Sequence, residues 1–140
     1  MKVIIDSNRL FAALIKDSTT RKILFEKSFE FFAPEFIKVE FEKYKSELKE
    51  KTNLSDSELD LLISTIFEVI NIIPESEFNQ YIKEFSNDNV DPKDLSYLAA
   101  CLKVKAEGIW THDPDFFKQK KCKIFTNINL LNLINNKESN

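Results

Sequence analysis

Apolar residues along this chain come in two rhythms. Short, nearly unbroken runs rich in β-branched and aromatic side chains alternate with longer stretches whose apolar positions recur every three or four residues. The first run, Lys2 to Asp6, is continuous enough for a strand buried on both faces, which places it centrally in a sheet. Ser7 or Asn8 then caps a helix reaching about Lys16. A second helix is expected from Thr19 to Lys27, with Asp17, Ser18 and Thr19 supplying the turn and cap. Phe29 to Ala33 reads as a strand, and Pro34 as the first turn of a long helix to about Lys51. Ser55 and Glu58 form a capping-box pattern ahead of Leu59, Leu62, Ile63, Ile66 and Phe67, a helix to about Ile70. Asn71 to Pro74 is the third strand. After a weaker amphipathic segment and the polar loop "SNDNVDP", Asp91 and Pro92 start a helix with an apolar face of Leu95, Leu98, Ala99 and Leu102, stopping near Gly108. "GIWT" and Lys123 to Thr126 supply two more strands, and "NINLLNLINN" a terminal helix. The alternation predicts a three-layer α/β domain: a central parallel sheet of four to five strands flanked by helices. Residues 1–136 are read as one domain and 137–140 as a polar tail.

In an open parallel sheet, the carboxyl ends of the strands face one crevice where the strand order reverses. Asp6 closes the first strand, and Asp113 follows the fourth. Asp94 lies in the first turn of the helix leading into that fourth strand. Each acid alone is readily explained as a cap or a first-turn residue favoured by the helix dipole. Glu40 is harder to explain that way. At 100° per residue it falls within the stripe of Phe36, Ile37, Tyr44 and Leu48, where a carboxylate needs a partner to offset desolvation, whereas Glu42 faces outward. At about 5 Å and an effective dielectric of about 20, each carboxylate pair repels by roughly 3 kcal/mol, so a cluster of three or four costs about 10 kcal/mol or more. A bound cation removes that cost. Oxygen ligands without His or Cys favour a hard ion, Mg²⁺ or Mn²⁺, which shares its shell with phosphate oxygens, and phosphodiester chemistry follows.

Composition narrows the remaining classes. With 140 residues and 43% hydrophobic content the chain buries a real core, and a net charge of −3 provides no global attraction to nucleic acid or anionic membrane. No stretch reads as a signal peptide or a membrane span, so a cytoplasmic protein is expected. Cys101 and Cys122 stand in separate elements without metal-ligand spacing and read as two reduced thiols.

"VIIDSN", "PEFIKVEFEKY", "DPKDLSYLAAC" and "GIWTHDPDF" resemble, in that order, the four acidic blocks of the PIN-domain family, across nearly the whole chain. Two consecutive helices between the second and third blocks resemble the stand-alone prokaryotic members, which include toxin ribonucleases of toxin–antitoxin operons. The resemblance implies a metal-dependent ribonuclease cutting single-stranded or flexible RNA to leave a 5′-phosphate and a 3′-hydroxyl. It assigns catalysis to Asp6, Glu40, Asp94 and Asp113, with Asp6, Asp94 and Asp113 on the metal. Asn8 and Thr111 match orienting positions beside the acids. Asp91, otherwise a helix cap, and Asp115, otherwise a first-turn residue after Pro114, fall outside the family's minimum set, and either could assist or replace its neighbour. The resemblance also implies RNA as substrate, a cognate antitoxin if the protein is a toxin, and a homodimer, with the region near Phe29 as its candidate surface.

Other residues are weighed beside these. Lys118, Lys120, Lys121 and Lys123 form the best local basic patch, either a guide for RNA phosphates or a solvated face. His112, the lone histidine, adjoins Asp113 but reads as a surface residue, and the phenylalanines from Phe25 to Phe32 read as core or interface rather than a stacking platform. Aspartyl phosphotransfer fits poorly. The haloacid-dehalogenase pattern needs an aspartate where Asn8 stands, and the receiver pattern needs paired acids and a phosphoacceptor that "FFAP" and "NIIP" do not offer. A catalytically inactive module of the same fold, binding RNA or a protein, stays open.

Overall fold

The computed structural model describes residues 1–15 and 18–138. The expected helix end at Lys16, the turn residue Asp17 and the last two residues of the expected tail lie outside the described residues. Among the described residues, five parallel strands form one sheet flanked by seven α-helices, a three-layer α/β arrangement. The strands are β1 (Lys2–Ile5), β2 (Glu30–Pro34), β3 (Ile70–Ile73), β4 (Gly108–Trp110) and β5 (Ile124–Phe125). The helices are α1 (Ser7–Leu14), α2 (Ser18–Leu24), α3 (Phe36–Thr52), α4 (Asp56–Glu68), α5 (Glu75–Phe78), α6 (Pro92–Val104) and α7 (Asn127–Glu138). The weak segment after Pro74 is α5 followed by a 3-10 helix, Asn79–Phe85, and a second 3-10 helix covers Pro114–Lys118.

The strand order is β3-β2-β1-β4-β5, so β1 is central and every one of Val3, Ile4 and Ile5 is fully buried. The chain first moves outward from β1 through β2 to β3, then returns to the other side of β1 for β4. That reversal makes the β1/β4 junction the switch point. Helix α6 packs across β1, β2 and β4, while α3, α4 and α7 cover β2, β3 and β5 respectively. Trp110, Tyr97, Phe31, Phe78, Phe85 and Phe116 are the largest fully buried side chains among the described residues. Trp110 keeps its indole N–H satisfied by Asn127 Oδ1 at 2.8 Å.

Three local expectations are corrected by the tertiary context. Pro34 ends β2 rather than opening a helix, pairing with Ile73 in register. In β2, Glu30 N–H points at β1 (Met1 O, 2.7 Å) and Glu35 N–H at β3 (Ile73 O, 3.0 Å), so Pro34 faces β1. The β1–β2 pairing has already ended at Ile4 and Phe32, so the missing donor costs no ladder bond. Asp6, not Ser7 or Asn8, is the N-cap of α1.

Gly108 does not stop α6. Lys105 does so, in the left-handed region at φ 56°, with its N–H on the Cys101 and Leu102 carbonyls. Gly108 is needed instead for a close approach, because a Cβ there would meet Lys123 O at 2.6 Å and the Phe125 ring at 2.7 Å. Gly108→Ala is therefore expected to destabilise the fold by about 1–3 kcal/mol in a urea melt, since the obstructing oxygen is backbone of the neighbouring strand. Unchanged stability would mean β5 is free to shift away.

Other signals are realised as read. Ser55 and Glu58 form the full capping box of α4, and Asp91 with Pro92 opens α6. Cys101 and Cys122 are buried free thiols, but they are neighbours. Each thiol donates to a backbone carbonyl, Cys101 to Ala106 O at 4.0 Å and Cys122 to Leu98 O at 3.8 Å, and the neighbouring Cys122 sulfur as acceptor, together with burial, pushes Cys101 well above the usual thiol range. No helix among the described residues is long and apolar enough to cross a membrane.

Candidate functional site

The site is built where β1 and β4 end side by side. Asp6 N–H bonds the Trp110 carbonyl at 3.0 Å, which extends the β1–β4 pairing by one residue and fixes the Asp6 backbone at the crevice. Asp6 as a whole is only 6% exposed. Oδ1 accepts from Ser7 N–H at 2.8 Å and Oδ2 from the Thr111 hydroxyl at 2.7 Å. Thr111 is the hub of this end. Its oxygen also accepts from Asp113 N–H at 3.0 Å and from the Asn8 side-chain amide at 3.3 Å, tying β1, α1 and the loop after β4 together. Asn8 in turn accepts from Arg9 Nε at 3.0 Å.

Asp113 caps the 3-10 helix that follows it, accepting from Asp115 N–H at 3.0 Å. This sharp turn swings the Asp115 carboxylate back toward its neighbour. Asp94 projects from the first turn of α6 into the same space, so that one oxygen each from Asp94, Asp113 and Asp115 lies within 4.8 Å of the others. Asp94 is buried, and its Oδ2 has no hydrogen-bond partner. Asp91 stays one turn earlier as the cap, accepting from Lys93 N–H at 3.1 Å.

Glu40 enters from α3, half-buried. The partner demanded by its place in the apolar stripe is a pair of hydroxyl donors: Tyr97 on Oε1 and Ser7 on Oε2, the latter at 3.1 Å. Asp6, Glu40, Asp94 and Asp113 line one cleft of about 430 Å³, with Lys43 and Lys93 on its walls.

Electrostatics follow from this crowding. Burial, then the nearby Glu40, pushes the Asp6 carboxyl up to about 6 against the pull of its hydrogen bonds. Burial and repulsion from Asp113, Asp6 and Asp91 push Asp94 to about 7. Tyr97 is held far above the usual phenol range, by burial first and then by the charge of Glu40, and so stays a donor. An all-oxygen donor set of like charge, with a buried carboxylate oxygen left unpartnered, is chemically fitted to a hard divalent cation, which would satisfy the orphaned acceptor and relieve the repulsion.

The structure thus gathers Asp6, Glu40, Asp94, Asp113 and Asp115 and sets Asn8 and Thr111 between them. The basic patch is more scattered. Lys118 pairs with Asp115 at 3.8 Å, beside the acids. Lys121 is engaged by Asp88 at 3.1 Å and lies over the Phe85 ring, and Lys120 is exposed. His112 is exposed, its Nε2 accepting from Asn127 N–H at 3.4 Å. Sequence reasoning missed Ser7 and Tyr97 as the partners of Glu40, and Lys43 and Lys93 as the cations of the cleft. A signal existed for one of them: Tyr97 is three residues after Asp94 on a helix and so shares its face.

A parallel α/β sheet binds its ligands at the switch point, and here the cleft at that point is carboxylate-lined and compatible with a divalent metal. The family model described as PIN domain matches residues 4–128, and the chain belongs to the PIN-domain family. No curated protein matches the chain. Membership implies a nuclease-type function on nucleic acid, and the Asp94–Asp113–Asp115 cluster is compatible with binding a divalent metal.

Proposed function

We propose that this protein is a Mg²⁺- or Mn²⁺-dependent endoribonuclease that hydrolyses phosphodiester bonds of single-stranded or flexible RNA. The observation that carries the reading is the convergence of Asp6, Glu40, Asp94 and Asp113 on one cleft, with Asp115 clustered against Asp94 and Asp113 and the buried Asp94 Oδ2 left without a partner. Asp94 and Asp113 would hold the metal with Asp115 or Asp6, and the metal, when bound, supplies positive charge for the phosphate and activation of a water.

The chain's own residues do the rest. Thr111 and the α1 N-terminus lock both oxygens of Asp6, so it presents a fixed charge to the cleft. Tyr97 and Ser7 hold Glu40 with one oxygen each, and its remaining lone pairs face the cleft to orient a water or take its proton. Lys43 and Lys93 would contact phosphates on either side of the scissile bond, with Lys118, Lys120 and Lys121 farther along the strand's path. The setting we infer is cytoplasmic, with a homodimer as assembly, and the physiology is either RNA processing or, with an antitoxin protein as partner, that of the toxin of a toxin–antitoxin pair. A neighbouring gene for a small DNA-binding protein would support the toxin, and its absence would favour an RNA-processing nuclease.

The test is cleavage of a labelled, unstructured RNA in EDTA, Mg²⁺ or Mn²⁺, beside Asp6→Asn prepared identically. Cutting that requires metal and disappears in Asp6→Asn supports the reading. It should persist in Asp60→Asn, whose carboxylate only pairs with Lys45 on the solvent side of α4. A folded wild type that binds RNA and cuts with neither metal would establish the inactive module instead. Tyr97→Phe removes one of two donors to Glu40 while keeping the buried ring. It should lower the cleavage rate about tenfold, the expected effect of a mispositioned group, with little change in melting temperature. An unchanged rate would show that Ser7 alone positions Glu40.

A further inference from the structure

A second hollow opens beside the acidic cleft, between α1 and α3. It encloses about 350 Å³, within the ~300–1,000 Å³ range of small-molecule sites, and shares Ser7, Asn8, Glu40 and Tyr44 with the cleft. Its floor is apolar, made by Phe11, Ile15 and Leu48. The Phe11 ring is stacked on Phe41 with centroids 4.6 Å apart and meets Tyr44 edge-on at 5.6 Å. Tyr44 itself is 39% exposed. A braced, part-exposed aromatic ring at the mouth of an apolar hollow suits a flat heteroaromatic ligand, which stacks on one face and keeps its polar edge in water.

Charge decides which part of a nucleotide enters. At the rim of the hollow the exposed Lys51 is paired with Glu47 at 3.0 Å, and Glu40, held by the Tyr97 and Ser7 hydroxyls, adds a carboxylate without a cation, so a phosphate is disfavoured there and a neutral base is not. The cation lies outside: Lys43 reaches over the Tyr44 ring at 5.6 Å and also lines the acid cleft. Base inward and phosphate outward at Lys43 is the one orientation in which both halves of a nucleotide meet complementary surface.

We propose that the α1/α3 hollow is a nucleobase subsite, seating the base of a nucleotide beside the scissile phosphate against Tyr44, Phe11 and Leu48. The proposal rests on the ribonuclease reading above and deepens it. A base held in a duplex must first unpair and unstack, at a free-energy cost, so the subsite favours unpaired RNA by shape, without reading sequence at an edge.

The experiment pairs a protein series with an RNA series. The proteins are wild type, Tyr44→Ala and Tyr44→Phe. The RNAs are one unstructured oligonucleotide with a mapped cut and copies carrying a single abasic ribose at each position flanking it. Cleavage is followed with Mn²⁺, and binding by fluorescence anisotropy of the same variants in an Asp6→Asn background. Tyr44→Ala should raise KM and Kd for intact RNA about tenfold, the scale of one lost base stack, with kcat changed by less than about threefold. Tyr44→Phe should recover most of the loss. At one abasic position, and only there, wild type and Tyr44→Ala should behave alike. Loss of equal size on every abasic RNA, or none, overturns the subsite, as does indifference to Tyr44 in both readouts. Base- and Tyr44-dependent binding by a wild type that never cuts upholds the subsite while ending the nuclease reading. Cutting that ignores both does the reverse.

Discussion

Asp94→Asn is expected to lower metal-dependent RNA cleavage by about 10²- to 10³-fold, the scale of losing one preorganised electrostatic group at a reacting centre. Among the acids, Asp94 is the one with a buried oxygen that nothing in the described structure satisfies, and it sits within 4.8 Å of both Asp113 and Asp115. The amide keeps the shape and removes the charge, so folding is preserved and the metal requirement rises. Initial rates across a Mn²⁺ titration read both effects. Asp115→Asn should cost less, because its carboxylate is half-exposed and already shared with Lys118. A rate for Asp94→Asn within about threefold of wild type, in the transition-state sense that such ratios carry, would remove Asp94 from the site.

The second large effect concerns stability without metal. Asp94 is held at about 7 and Asp6 at about 6 in the folded protein, above the ordinary carboxyl value of 3.8 that applies once the chain unfolds. Between roughly pH 4 and 7 the native state therefore holds protons that the unfolded chain has released. Stability then falls as pH rises through this window and levels off above it. In EDTA the protein should melt at a higher temperature at pH 5 than at pH 8. Asp94→Asn should flatten that slope and raise stability at pH 8 by about 2 kcal/mol, less than the full shift implies because the cleft is open to water. Asp56, lowered by its bond to Lys49, and Glu58, lowered by Ser55, act in the opposite sense, but only nearer the usual carboxyl range. Saturating Mn²⁺ should add about 2.7 kcal/mol at a hundredfold excess over its Kd, and more at pH 8 than at pH 5, where protons compete. Thermal melts at the two pH values, with EDTA and with Mn²⁺, would show it. Stability that rises from pH 5 to pH 8 in EDTA would contradict the crowding of these acids.

Each of the two effects belongs to an acid whose position along the chain was legible and whose surroundings were not. The run ending in Asp6 announces a central strand because only a strand covered on both faces tolerates Val3, Ile4 and Ile5 in succession. The caps at Ser55 and Asp91 are equally local, since each is satisfied by backbone within three residues. Glu40 shows the limit. Its place in an apolar stripe calls for a partner, and helical geometry states the need correctly. It cannot say that the partners would be hydroxyls from Ser7 and Tyr97, 33 and 57 residues away.

What the sequence by itself determined, then, is the alternation of strands and helices, the acids at strand ends and helix starts, and the family they spell out. Those features are written in periods and caps that depend on neighbours a few residues apart. Only the tertiary structure decided that β4 returns to lie beside β1, that Asp115 turns back to join Asp94 and Asp113, and that Lys43 and Lys93 line the cleft. It also decided that Pro34 ends a strand and that Gly108 serves β5 rather than α6. These are distances between segments far apart in the chain. They follow from strand order and crossover direction, which set which side chains meet, and no local pattern of polar and apolar residues encodes them.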